Sequence, residues 1–176
     1  MKSRIFVVLV LSGLFLSQGA AAQDESELNT LDDKFRHLVA TKMPGWKHKR
    51  VAPMMHSANV RIQVWSFPNR AVKISIVPYK SAQEAGEVLR GFIKYESQKE
   101  ELKGLGDEAY GWGYGRSNVV FTRGKSIVYV STYAEVDSEP EARSLSQAEK
   151  GEREKSEMRR LSREFAKHMV SAIDLP

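Results

Sequence analysis

The apolar residues of this 176-residue chain alternate between the helical spacing of about 3.6 residues and the strand spacing of two. Three segments have the helical spacing, and two pairs of short segments between them have the strand spacing. The order is therefore helix, hairpin, helix, hairpin, helix. This order predicts an α+β fold, in which helices pack on one face of a single antiparallel sheet of four to six strands.

The first two helices are predicted from apolar stripes on one side. In 27–43 the apolar side chains recur at spacings of three and four. The second helix, 81–98, begins with a capping box, in which Ser81 and Glu84 each satisfy a free backbone amide of the first turn. We expect Tyr95 to lie on the inward face of this helix.

The last part of the chain has two sections of different composition. Residues 137–155 are nearly all charged or small and include Pro140 and Gly151, so a charged linker or an exposed helix is expected there. In 156–174 apolar residues return at spacings of three and four. This pattern predicts a terminal amphipathic helix that docks one face on the sheet.

Two hairpins are predicted between the helices. Their strands cover 60–65, 72–77, 118–123 and 126–132. Pro68 and Asn69 suit a tight reversal in the first hairpin, and Gly124 at the first central position suits a two-residue type II′ turn in the second. The irregular stretch 51–58 is a further candidate for a short strand.

Residues 1–22 have the pattern of a secretory signal peptide. Two basic residues precede the apolar run 5–16, which is followed by small residues ending at Ala22. The run is about twelve residues long, shorter than the roughly 20 that a membrane-spanning helix needs. We therefore expect cleavage near Ala22, a single domain over 23–176, no transmembrane span, and a periplasmic or extracellular location.

The composition excludes several kinds of chemistry. With no cysteine, the chain cannot form a disulfide, a thiolate metal site, a cysteine nucleophile or a cysteine-linked lipid anchor. The four histidines, His37, His48, His56 and His168, have no metal-binding spacing, so neither a metal nor a cofactor is expected. Two of the 27 basic and none of the 22 acidic residues lie in 1–22, which leaves a net charge of only +3 and makes nucleic acid an unexpected partner.

The segment from Gly104 to Ala109 matches the dinucleotide-binding pattern G-x-G-x-x-A, but its context does not. That pattern must follow a strand and open a helix, whereas here it follows a helix and precedes a strand. We instead expect a structural turn, in which Gly104 and Gly106 have positive φ and Asp107 accepts a hydrogen bond from a nearby amide.

Three aromatic residues then alternate with glycines. Tyr110, Trp112 and Tyr114 share one face of the expected strand by its period of two. Two interpretations are open: an inward face forms part of the core, whereas an outward face, together with Arg116, forms a stacking platform for a ligand.

A basic cluster lies near the end of the first helix. Trp46, Lys47, Lys49 and Arg50 could contact an anionic lipid, a polysaccharide or a nucleic acid, with the tryptophan as a stacking or apolar group. The alternative is ordinary solvent-exposed charge.

The succession of a capped helix, the Gly-Leu-Gly-Asp-Glu-Ala-Tyr segment at 104–110, a hairpin and a terminal helix resembles small exported bacterial domains of uncharacterised function. Similar segments occur in lipoproteins and extracellular sensor domains, some of which are similar to the PsbP/Mog1-like α+β architecture. The resemblance covers 58–175 and implies no catalytic residues.

These observations favour a non-enzymatic exported module that binds a ligand, an envelope component or another protein. The alternative is a hydrolase in which Asp107 or Glu108 acts with a remote histidine or acid.

Overall fold

The computed structural model describes residues 25–52, 60–137 and 139–175; the predicted signal peptide and His56 lie outside them. The helices are α1 (Glu25–Lys42), α2 (Ala82–Ile93) and α3 (Gln147–Asp174). The strands are β1 (Lys47–Val51), β2 (Arg61–Phe67), β3 (Arg70–Pro78), β4 (Glu100–Glu101), β5 (Glu108–Trp112), β6 (Asn118–Arg123) and β7 (Ser126–Ala134). Short 3-10 turns cover Tyr114–Arg116 and Pro140–Ala142.

The described strands form one antiparallel sheet in the order β1-β2-β3-β7-β6-β5-β4. Both predicted hairpins, β2–β3 and β6–β7, are confirmed, and β3 pairs with β7 between them. The sheet has seven strands, so the expected four to six is too low. The shortfall has two causes, since β4 is only two residues long and β1 is mostly basic, without an apolar alternation to reveal it.

Helices pack on both faces of the sheet, and the prediction of one covered face is wrong. Val119 and Phe121 of β6 belong to the core under α1 and α3, whereas Val120 belongs to a second core under α2. Adjacent residues of a strand point to opposite faces, so these two cores lie on opposite sides. The consecutive apolar residues of β6 are the signal for this arrangement, because a strand buried on both faces does not alternate.

The ends of two helices also differ from expectation. The helix α2 starts after its Ser81 cap, but it ends at Ile93, and Tyr95 is 84% exposed rather than inward. No apolar residue follows Tyr95 for several positions, so a longer helix would gain no packing. The helix α3 begins at Gln147, so the exposed-helix alternative holds for 147–155, which is continuous with the expected terminal helix. Ser146 and Glu149 form the reciprocal capping box that starts it.

Candidate ligand-binding cleft

The expected turn at 104–107 holds the sheet to the end of α3. Gly104 and Gly106 have φ of +72° and +63°. The Asp107 carboxylate accepts from the Gly124 amide at 2.7 Å and from Arg123 at 2.9 Å. Arg123 in turn donates to Asp174 at 2.7 Å. This chain of contacts runs from the Gly124 backbone amide to the Asp174 side chain, which gives Asp107 a structural environment.

Glu108 also has partners within the protein. Its carboxylate accepts from Arg90 at 2.7 Å and from the Tyr110 hydroxyl at 2.9 Å. Burial is the main cause that raises the pKa of Tyr110, and the bond to Glu108 raises it further. The two acids considered for hydrolysis are thus both engaged in contacts between neighbouring strands and helices.

The aromatic residues after this turn do not form one open face. Trp112 is 4% exposed and packs between Phe92 and Tyr129, with ring centroids 5.5 and 5.7 Å away, so it is core. Tyr114 lies on the opposite side, where its ring meets Lys155 of α3. The expected common face fails because β5 ends at Trp112 and Gly113, at φ +81°, turns the chain away.

The Arg116 side chain is engaged by the β4 segment rather than by these aromatic residues. It donates to the Glu100 carboxylate at 3.1 Å and to the Gln98 carbonyl at 2.8 Å. The four residues Tyr110, Trp112, Tyr114 and Arg116 therefore do not converge on one site.

The basic cluster is divided by the strand geometry of β1. Lys49 pairs with Val64 in the sheet, and Arg50 with Gln63, so these neighbours point to opposite faces. Lys47 and Lys49 are exposed on the α2 side. The expectation of a single patch that includes Arg50 is wrong, because alternation turns Arg50 toward α1.

Arg50 belongs to a polar cluster between α1 and the sheet. It donates to Asp32, which is 1% exposed, and Gln63 donates to the other oxygen of the same carboxylate. The Gln63 carbonyl accepts from the Trp65 indole at 3.0 Å. The His48 ring lies 4.7 Å from that of Trp65. These hydrogen bonds join the buried Asp32 of α1 to Arg50 of β1 and Gln63 of β2.

Trp46, the last member of the predicted patch, lies in a cleft of about 360 Å³ at the end of the sheet. This volume is within the range of roughly 300 to 1,000 Å³ for small-molecule sites. The cleft is bounded by the end of α1, the β2–β3 turn and one side of α3. Its lining residues are Lys42, Met43, Pro44, Trp46, Phe67, Arg70, Glu157, Arg160 and Glu164.

One wall of the cleft is aromatic. Trp46 stacks with Phe67 at 5.7 Å between ring centroids, and its other contact is an edge packed on Phe165 at 4.9 Å. Gly45 permits this stack, since a Cβ there would lie 3.2 Å from the Phe67 ring and φ is +91°. Phe67 remains 39% exposed, so part of the wall is open to a ligand.

A second part of the lining consists of ion pairs, and Arg70 among them lies beside Phe67 across the β2–β3 hairpin. Arg70 donates to Glu139 at 2.6 Å and to Glu157 at 2.7 Å. Arg160 donates to Glu157 at 2.9 Å and to Glu164 at 2.5 Å. The hydrogen bonds from Arg160, followed by those from Arg70, outweigh burial and lower the pKa of Glu157 to about 2. The carboxylate is therefore ionised at any ordinary pH.

His168 lies next to these ion pairs on α3, and it provides a test by pH. Burial is the main cause that lowers its pKa; Glu164 acts in the opposite direction and Lys42 adds to the lowering. Burial likewise lowers the pKa of His48. Both histidines are protonated at a higher pH in the unfolded chain than in the folded protein. The free energy of unfolding should therefore fall as the pH drops below about 6.5.

We expect the double variant His48→Gln/His168→Gln to lose most of this fall in urea denaturation between pH 7.5 and 5.5. The matched control is His37→Gln, at an exposed position of α1, which should keep the wild-type pH dependence. Equal pH dependence in both variants would contradict the assignment.

Sequence reasoning found Trp46 but missed the rest of the cleft. Glu157, Arg160 and Glu164 follow each other at spacings of three and four, which places them on one side of α3. Phe67 and Arg70 flank a two-residue turn. In its strand, each lies an even number of residues from the side chains that face α3, and therefore points to the same face. These local patterns identify which face of each strand or helix the residues occupy, but they do not show that the faces come together in one cleft.

Comparison of the chain with protein-family models, with curated proteins and with solved structures gives no match. Within 25–52, 60–137 and 139–175, no helix is long and apolar enough to cross a membrane.

Proposed function

We propose that the protein is a non-enzymatic, exported binding module whose cleft holds an uncharged, hydroxyl-rich ring such as a sugar unit. The observation that carries this proposal is the combination of an exposed aromatic side chain with neighbouring arginine and glutamate side chains that neutralise one another. Export after cleavage near Ala22 rests on the leader pattern.

The charged part of the lining favours a neutral ligand over an ion. Arg70 and Arg160 each use all three guanidinium nitrogens in hydrogen bonds within the protein. An anion near either arginine would also meet the carboxylates that already neutralise it, so these guanidinium groups offer little net attraction. A neutral ligand leaves the pairs in place.

Polar atoms remain for hydroxyl groups. Among the described residues, Glu164 Oε1 and Lys42 Nζ have no hydrogen-bond partner. A ligand hydroxyl can donate to the first and accept from the second, while its ring stacks on Phe67. Fixed polar groups beside an aromatic surface are the usual composition of a small-molecule site.

The hydrolase alternative gains no observation in its favour. Asp107 and Glu108 lie in contacts with Gly124, Arg123 and Arg90, and neither lines the cleft. We propose structural roles for both acids.

Calorimetric titration with glucose and N-acetylglucosamine oligosaccharides tests the cleft. Phe67→Ala should weaken binding at least tenfold, because it removes the exposed stacking surface. The control is Tyr95→Ala, which removes a more exposed aromatic side chain on the opposite face of the sheet and should leave affinity unchanged.

The proposal fails if no oligosaccharide binds, or if the two variants weaken binding equally. Mass measurement of the exported protein tests the leader separately, since an intact amino terminus contradicts cleavage near Ala22 without bearing on the cleft.

A further inference from the structure

The α2 side of β1, β2 and β3 carries a second surface, on the opposite face of the sheet from the cleft. It comprises Lys47, Lys49 and Lys73 together with Val51, Ile62 and Val64, and we name it the lysine face. The helix α2 packs over β6 and β7, whereas on this half of the sheet Lys47 and Lys49 are exposed and the other four side chains are half-buried.

The sheet register brings these residues together. Lys49 lies opposite Val64, and Val64 lies opposite Lys73, so the two lysines flank one valine in a single cross-strand row. Neighbouring strands are about 4.8 Å apart, which puts the two lysine backbones roughly 10 Å from each other. Lys47 lies two residues along β1 on the same face.

The three strands contain no acidic residue. Their arginines point to the helices, where Arg50 pairs with Asp32 and Arg70 with two glutamates. The lysines point away, and none of the three forms an ion pair with a described residue. The charges of Arg50 and Arg70 on the helix-facing side of these strands are thus paired with carboxylates, whereas the lysine charges on the other side have no such partner in the described part of the chain.

The side chains between the lysines identify the partner. A nucleic acid or a polysaccharide is usually met by arginine and aromatic side chains, which offer forked hydrogen bonds and stacking. Here the side chains beside the lysines are the aliphatic Val51, Ile62 and Val64 and the small polar Ser66 and Ser75, and none is aromatic. Lysine beside aliphatic residues is the composition that binds anionic lipid, because the charges meet headgroups while the apolar groups leave water.

We propose that the lysine face is a docking surface for an anionic lipid bilayer. The protein would lie on the membrane through this side of the sheet. The cleft, lined from the α1 and α3 side, would then face away from the bilayer and remain accessible. This proposal does not depend on the cleft ligand.

The test is co-sedimentation of the purified chain with phosphatidylcholine vesicles, with and without phosphatidylglycerol. Wild-type protein should bind only the anionic vesicles, and the binding should weaken with added salt. The triple variant Lys47→Gln/Lys49→Gln/Lys73→Gln should bind at least tenfold more weakly. Because Lys47 and Lys49 are exposed and none of the three lysines forms an ion pair with a described residue, unchanged thermal unfolding should accompany the loss.

The control variant Lys80→Gln/Lys103→Gln/Lys167→Gln removes the same charge from exposed positions elsewhere and should bind as wild type does. Both variants share the wild-type amino terminus, so any contribution of 1–22 cancels. Equal losses in both variants, no binding to anionic vesicles, or retention on heparin without vesicle binding would each overturn the proposal.

Discussion

Gly106→Ala should destabilise the protein by more than about 3 kcal/mol. A Cβ at this position would lie 2.3 Å from the backbone oxygen of Thr122 and 2.9 Å from the Phe121 ring. The residue also has φ of +63°, which side chains rarely adopt. The Thr122 oxygen cannot move without breaking the β5–β6 pairing. The turn at 104–107 would therefore have to change its conformation.

Gly104→Ala is the matched control for this substitution. Gly104 has φ of +72° as well, but a Cβ there meets nothing within 4 Å. Only the backbone conformation is penalised, and the expected loss is roughly 1 to 2 kcal/mol. Urea denaturation of both variants measures the difference; equal losses would show that close approach to Thr122 is not what requires glycine.

Asp32→Ala should lower the free energy of unfolding by about 3 kcal/mol. The substitution leaves Gln63, which is fully buried, without an acceptor for its amide, and it removes the partner of Arg50. The Gln63 side chain is 0% exposed, so bulk solvent does not contact its amide in the folded protein. The hydrogen bond from Trp65 to Gln63 should also weaken, because Asp32 no longer holds the Gln63 amide in its orientation.

The neighbouring Asp33 provides the control. Its carboxylate is 64% exposed and pairs with Arg36 one turn along α1. Pairs of this kind contribute little, so Asp33→Ala should leave the urea midpoint unchanged. If Asp32→Ala proved equally harmless, the polar cluster would not be what holds α1 to the sheet.

The hairpins and the start of α2 could be predicted from sequence because each depends on neighbours along the chain. Alternating residues specify a strand, and Ser81 with Glu84 specifies a helix start, whatever the rest of the fold does. The same rule applied to Ser146 and Glu149 would have placed the start of α3 correctly. Gly151 obscured that signal, although it lies within a continuous helix.

The side on which each helix packs could not be predicted in this way. Val119, Val120 and Phe121 are apolar in succession, which shows burial on two faces without showing which helix covers which face. The cleft is harder still, because α1, the β2–β3 turn and α3 meet there from distant parts of the chain. Trp46 was singled out for its basic neighbours, yet it faces the cleft while Lys47 faces the opposite side.

The most direct measurement of the central claim is a titration of ¹⁵N-labelled protein with the same oligosaccharides, followed through the indole N–H signals. The chain has three tryptophans in three settings: Trp46 at the cleft, Trp65 in the core under α1 and α3, and Trp112 in the core under α2. We expect the Trp46 signal to shift progressively while those of Trp65 and Trp112 stay in place. A shift at Trp112 alone, or no shift at Trp46 at saturating oligosaccharide, would contradict the cleft as the binding site.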